Sequence, residues 1–304
     1  MKKKTIITHN GKFHADDVFA VETALRFYEL QGISRGDVEI IRTREDDVIA
    51  RGDCVVDVGG IHDPRTFQFD HHQEGGAGTR ENGVPFAAFG LVWKAFGKDI
   101  AGEEEVARAI DERLVQTMDA LDNGIDICGD SEIKIARRFL FWDVFASLYP
   151  AWNEENYTVH ESFEKSLDIA RTVLEREIVH ARSEEEGNRR ALEMYNKTKH
   201  TSPELLILEE RLPHSRIVSA HPEILLIIHP SEAKDSWKVN TAQDRGGLFR
   251  SRTLLPEAWA GKRDKELAEL TGVPDAVFVH NKRFVAVAKS KEGALSLARK
   301  ALGL

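Results

Sequence analysis

Cysteine is almost missing from this chain: 304 residues contain two, Cys54 and Cys128. That excludes a disulfide framework and a thiolate zinc cluster. No apolar run approaches the ~18 residues that a bilayer span needs, so no membrane association is expected. The opening MKKKTIITH has basic residues but neither the apolar stretch nor the small-residue cleavage site of a secretory leader. A cytoplasmic protein is expected. Basic residues are in deficit, 42 against 51 acidic, for a net charge of −9. This argues against extended duplex DNA binding, which needs many Lys or Arg contacts to phosphate. Short phosphorylated substrates held by a few residues and metal ions stay open. Internal repeats and low-complexity tracts are missing too.

With 41% hydrophobic and 31% charged residues, the composition is that of a globular protein. Residues 4–8 (KTIIT) read as a strand, followed by a polar loop THNGKFHADD and a helix VFAVETALRFYELQG. In that helix Val18, Val21, Ala24, Leu25 and Tyr28 share one side, and Gly32 is a stop. VEIIRTR and DCVVDVGG read as further strands, and residues 86–97, 103–121 and 134–148 as helices. Alternating strands and helices predict an α/β fold with a mainly parallel sheet flanked by helices. In such sheets, sites form beyond the carboxyl ends of the strands. Residues 1–160 are expected to form this domain, and 161–195 a charged helical connector. Residues 196–304 are expected to form a second, smaller α/β domain with strands in LLILEE, HPEILLIIHP, SWKVNTAQ and DAVFVHNKRFVAVAK.

Five of the twelve histidines lie within the first 72 residues: His9, His14, His62, His71 and His72. His9 follows the first strand, and His14 and Asp16 lie in the loop entering the first helix. Asp57 ends a strand, Asp70-His71-His72 follow another apolar run, and Asp119 and Asp122 close a helical segment. A parallel sheet brings these stretches to one rim. Crowded carboxylates repel one another and lose hydration unless some protonate; divalent cations remove that penalty, and a mixed imidazole–carboxylate shell suits manganese, magnesium, iron or zinc. About seven ligands fit two ions, and two metals ~3.5–4 Å apart can activate water and hold a phosphoryl group. Each residue also has a plainer use. Taken alone, His9 reads as a helix-entry residue and Asp16 as a helix N-cap, Asp57 and His62 as turn residues, and Asp119 and Asp122 as helix-end residues beside Asn123-Gly124.

THNGKFHADDVFA, DVGGIHDP, FDHHQ and DALDNG, in that order, resemble the melanocyte-proliferating-gene family of metal-dependent hydrolases. That family is a branch of the DHH phosphoesterase superfamily. SRTLLPEAWAGKRDKELAELTGVPDAVFVHNKRF and SKEGALSLA resemble its C-terminal segment, so the likeness spans nearly the whole chain. The resemblance implies a DHH-type catalytic domain with two divalent ions, Mn2+ first and Mg2+ or another divalent ion as alternatives. His9, His14, Asp16, His71 and Asp122 would be ligands, with Asp119 the rival of Asp122. Asp57 would bridge the ions, His72 would face the phosphate, and Asp70 would be a ligand or orient the histidines. His14 stands where other branches of the superfamily usually have aspartate.

In the C-terminal domain, Arg252 and His280 are candidates for phosphate or sugar binding. Their alternatives are a surface salt bridge and a strand-end histidine. Family members often have glycines where this chain has Val285-Ala286-Val287-Ala288, which reduces close backbone approach to a phosphate. Trp237, Phe249 and Phe284 are candidates for stacking on a base or for core packing. The expected activity is that of an exonuclease, a phosphodiester hydrolase acting on short single-stranded RNA or a small nucleotide. The rivals are a phosphoanhydride or phosphomonoester hydrolase and a non-catalytic metal-dependent nucleotide or RNA-binding protein. A homodimer is compatible with the sequence.

Overall fold

A computed structural model describes residues 3–127, 140–233, 235–243 and 250–304. The chain divides into two units, Met1–Arg182 and Ser183–Leu304. In the first, β1 (Lys4–Thr8), β2 (Val38–Arg42), β3 (Cys54–Val56), β4 (His62–Asp63) and β5 (Gln68–Phe69) form a sheet in the order β2-β1-β3-β5-β4. β1 pairs in parallel with β2 and β3, and β3 with β5, whereas β4 pairs antiparallel with β5. Successive side chains of a strand face opposite sides. Ile6 accordingly enters the main core while Ile7 joins Val55 and Val58 in a smaller cluster on the other face. Cys54, on β3, is 1% exposed.

The helices of this unit are α1 (Ala15–Leu30), α2 (Asp46–Ile49), α3 (Ala88–Ala101), α4 (Glu104–Ile110), α5 (Gln116–Asp122) and α6 (Phe141–Ala146). The expected apolar side of α1 is buried, and so are Phe19, Ala20 and Thr23, because the helix also packs against α3. The single helix expected over 103–121 is instead α4 and α5 joined by a π-helical turn, Asp111–Val115. Of the helix expected over 134–148, residues 134–139 lie outside the described residues and α6 occupies part of the rest.

α7 (Val159–Thr198) differs from the expected connector: it is one helix of 40 residues, and the division between the units falls inside it. Phe163, Leu167, Ala170, Leu174 and Ile178 recur every three or four residues and enter the first unit's core; Ala191 and Tyr195 enter a core of the second. A narrow apolar stripe on a charged helix is sufficient for this.

The second unit contains β6 (Leu205–Ile207), β7 (Leu226–Pro230), β8 (Trp237–Thr241), β9 (Ala276–Val279) and β10 (Val285–Ala288), in the order β6-β7-β8-β10-β9. β6 and β7 are parallel and the other pairings antiparallel. Its helices are α8 (Ser215–Ala220), α9 (Asp264–Thr271) and α10 (Lys291–Leu302). Ala286 and Ala288 of the Val-Ala-Val-Ala strand are buried in one core with Ala294, Leu297 and Ala298 of α10. The opposite face takes Ile227 with Ile217 and Val218 of α8. The protein is thus α/β, with two mixed sheets flanked by helices. Among the described residues no helix is long and apolar enough to cross a membrane.

Candidate metal centre

Three strands of the first sheet end one residue before a candidate ligand. β1 stops at Thr8 before His9, β3 at Val56 before Asp57, and β5 at Phe69 before Asp70. Because β1, β3 and β5 run parallel, these ends share one edge. β1 has β2 on one side and β3 on the other, so the chain reverses its direction of travel across the sheet here, where α/β crevices form.

Asp57 adopts a left-handed backbone, φ 56°, a conformation that aspartate tolerates better than bulkier residues. Its carboxylate lies between two imidazoles. Oδ2 is 3.3 Å from His9 Nε2 and Oδ1 is 3.3 Å from His71 Nε2. His9 donates its Nδ1–H to the carbonyl of Asn10 at 3.0 Å, which leaves Nε2 as the inward ring atom. Metal-bound histidines use their second nitrogen in the same way. The other Nε2 neighbour of His9 is Asp17 Oδ2, at 3.4 Å. Beyond His71, Asp122 Oδ2 is 3.2 Å from its Nε2 and Asp122 Oδ1 is 3.7 Å from His14 Nδ1.

Among the described residues there are three groups whose own donor atoms all lie within 4.8 Å of one another: His9, Asp17 and Asp57; Asp57, His71 and His72; and Asp16, His71 and Asp122. Asp57 and His71 each belong to two of them. Asp17 Oδ2, Asp57 Oδ1 and His71 Nε2 are buried without a hydrogen bond, a costly arrangement unless something satisfies them. These oxygens and imidazoles are the donor types that divalent ions such as manganese, magnesium or zinc accept, so the residues fit a metal site.

The electrostatics agree. Burial pushes the Asp17 carboxyl up to about 7. Burial, with repulsion from Asp122 and Asp57, raises that of Asp16 well above the carboxylate range. Burial opposes ionisation of Asp57, but the His71 and His9 imidazoles beside it outweigh this and hold the group at about 2. For His71, desolvation is overcome by Asp122 and Asp57, which lift it to about 10. A divalent cation among these groups would replace protons that now offset the negative charge.

Residues 5–302 match the family described as "Uncharacterised protein family (UPF0160)". The chain belongs to that family. This UPF0160 membership accords with the resemblance carried by THNGKFHADDVFA, DVGGIHDP, FDHHQ and DALDNG. A human protein named MYG1 exonuclease is 29% identical over 99% of this chain and 86% of its own length. A MYG1 protein of Dictyostelium discoideum is 30% identical over 99% of this chain and 97% of its own. One from Schizosaccharomyces pombe is 31% identical, with 98% and 97% covered.

In this UPF0160 member, several sequence-expected site residues have other partners. Asp16 contributes to a donor group, yet both its oxygens also accept amides at the start of α3, from Ala88 and Phe89 at 2.9 Å each. Asp70 is absent from the donor groups. Its Oδ1 accepts the amides of His71 and His72 and the Nδ1–H of His72 at 2.7 Å, and its Oδ2 accepts the Gly60 amide. The carboxylate therefore orients the histidine pair. Asp119 is also outside the groups: it is buried against Arg80 Nη1 at 2.7 Å and the Gly90 amide at 2.9 Å. Asp122 is the member of that pair that reaches the centre.

Arg252 donates to the carbonyls of Val218, His221 and Ile224, tying down the end of α8. His280 sits in the β9–β10 turn, where Nδ1 accepts the Lys282 amide and the ring lies 4.4 Å from that of Phe284. Trp237 packs partly buried against the second unit's core, Phe284 is exposed, and Phe249 lies outside the described residues. His62 belongs to β4 and to none of the donor groups.

Asp17 is the residue that sequence reasoning missed. Its Oδ1 accepts the His14 amide at 2.6 Å, the return half of a capping box. The signal was the spacing: Asp17 stands three residues after His14, the N-cap of α1.

Proposed function

We propose that this chain is a metal-dependent phosphodiester hydrolase of exonuclease type, acting on short single-stranded RNA or a comparably small nucleotide through two divalent ions. The observation that carries the proposal is the position of Asp57, whose separate oxygens face His9 and His71 at the junction of the overlapping donor groups. The exonuclease names of the mammalian relatives support the reaction class, and the ordered motifs support placement in the DHH superfamily.

His9, Asp17 and Asp57 would hold one ion, and Asp16, His71 and Asp122 the other, with Asp57 shared. Manganese, when bound, supplies Lewis-acid stabilisation of phosphoryl oxygens and acidifies a water. His72 has a different part. Its side chain is 62% exposed, and Asp70 fixes its Nδ1 and raises its pKa against the opposing effect of burial. In the imidazolium form that Asp70 favours, its Nε2–H would donate to a phosphoryl oxygen as negative charge grows there. Asp70 positions that ring, and Asp16 couples the centre to the start of α3.

The test is elemental analysis of manganese-reconstituted protein together with its turnover of RNAs a few nucleotides long. About two ions per chain and chelator-sensitive release of mononucleotides are expected. A reproducible absence of bound metal overturns the proposal, as does turnover confined to pyrophosphate or phosphomonoesters.

A further inference from the structure

Next to the metal centre, the first unit has a second concavity of about 370 Å3, lined by Lys12, Phe13, His14, Trp142, Phe145 and Tyr149 among others. His14 belongs to both places. Its Nδ1 is 3.7 Å from Asp122, and its ring stacks on Trp142 with centroids 4.7 Å apart and planes 22° from parallel. Trp142 is 36% exposed, although the core of this unit holds many aromatics. The opposite wall is fixed. Phe13 and Tyr149 stack at 4.5 Å and 20°, and the Tyr149 hydroxyl is held by the Phe13 amide and carbonyl. That hydroxyl is therefore engaged by backbone; Phe13 and Phe145 are buried, and the open ring surface of the pocket is mainly that of Trp142 and His14. Lys12 is exposed, with no ion pair among the described residues.

Such a cavity suits a planar ring with two π faces and a nearby negative charge. An ion alone would leave the aromatic walls without a partner, and a duplex end would present a paired base that cannot enter. We propose that this pocket receives the terminal, unpaired nucleobase of the substrate, stacked beside Trp142, with Lys12 near the adjoining phosphate. The inference rests on the phosphodiester-hydrolase reading, because His14 joins the pocket to the centre that would hold the scissile phosphate. It deepens that reading: the substrate would be recognised by a free end whose base identity matters little, since every base has a π face. Trp142 would be a substrate-binding residue, and its loss would be felt in affinity for the base alone.

The experiment compares adenosine 5′-monophosphate with ribose 5-phosphate, measured calorimetrically on the full-length, manganese-loaded chain. Wild-type protein should bind the nucleotide more tightly by about 5- to 150-fold, the range expected for one stacked base. Trp142→Ala should remove that advantage while leaving ribose 5-phosphate affinity and metal content unchanged. Trp142→Phe should restore most of it. Equal wild-type affinity for the two ligands overturns the proposal and needs no variant. A Trp142→Ala defect that is the same for both ligands also overturns it. If no phosphodiester is turned over but the Trp142-dependent preference is present, the hydrolase reading fails and the base pocket stands. If oligonucleotides are turned over without that preference, the base pocket fails and the hydrolase reading stands.

Discussion

Among single residues, Asp57 bears the most, since it combines a left-handed backbone with contacts to two imidazoles. Asp57→Asn keeps a residue type that tolerates this φ and removes the charge. It should weaken metal binding more than His71→Ala, because it touches both proposed sites. His72→Ala should retain the metal and lose about 10²–10³ in rate, as expected for one missing transition-state donor. Metal titration and single-turnover cleavage of the three proteins check this; wild-type behaviour of both histidine variants would remove FDHHQ from the active site. A residue outside the centre sets a pH dependence. Asp53 is pushed up by partial burial, but Lys4 Nζ at 2.7 Å and the Thr5 amide and hydroxyl outweigh this and hold it below the usual carboxylate range. A depressed carboxyl stabilises the fold above its unfolded pKa of about 3.9, and that contribution is lost as pH falls through the folded value. Urea midpoints of wild type and Asp53→Asn should therefore differ at neutral pH and converge as the pH falls through the lowered folded-state pKa of Asp53. His9, His71 and Asp57 could be read from the sequence because residue types alone mark them as donors. Asp17 could not, since Asp16 and Asp17 are chemically identical and only the helix start decides where each points.

Elements are where tertiary contacts override the sequence pattern. The β-branched run at residues 4–8 and the CVV of residues 54–56 announced β1 and β3, whose ends carry His9 and Asp57. The two-residue strands β4 and β5 are too short to show a period, so their antiparallel pairing was illegible. The π turn was illegible for another reason. Arg80 places Nε and Nη2 on Asp111 and Nη1 on Asp119, gripping the first residue of the turn and a residue beyond it from a distant loop. Gly90 completes this knot: a side-chain carbon there would collide with Asp119 and Arg80. Arg80→Ala should destabilise the protein by about 3–5 kcal/mol, the usual result of stranding a buried charge. Arg80→Lys should restore only part, lacking the planar fork. Adding Asp119→Asn to Arg80→Ala should recover stability, because no buried charge is then left alone. Denaturant unfolding of wild type, these three variants and Asp119→Asn alone measures these differences, and simple additivity of Arg80→Ala and Asp119→Asn would show that the two residues are not coupled.

At the scale of the whole molecule, each hydrophobic cluster of the described residues draws its members from a single unit, and that fixes what each unit can do alone. The cluster under the metal centre draws its last fully buried member from Ile178, so a chain ending at residue 182 keeps that core complete. It should unfold cooperatively and bind metal, yet cleave oligonucleotides poorly if the second unit contributes to substrate binding. Full activity of this shortened chain would remove any such contribution. The sequence announced two α/β parts through the change of texture near residue 196, but α7 hid the division, because its stripe of buried residues serves first one core and then the other. The scarcity of cysteine also supplies a probe. Cys54 stands three residues before Asp57, sealed in the sheet, with burial pushing its thiol up. With Cys128 changed to serine, the rate at which a sulfhydryl reagent modifies Cys54 becomes a stopwatch for the opening of β3. Ligands that favour the closed form slow it, so one chemical modification times the breathing of the strand that carries the central carboxylate.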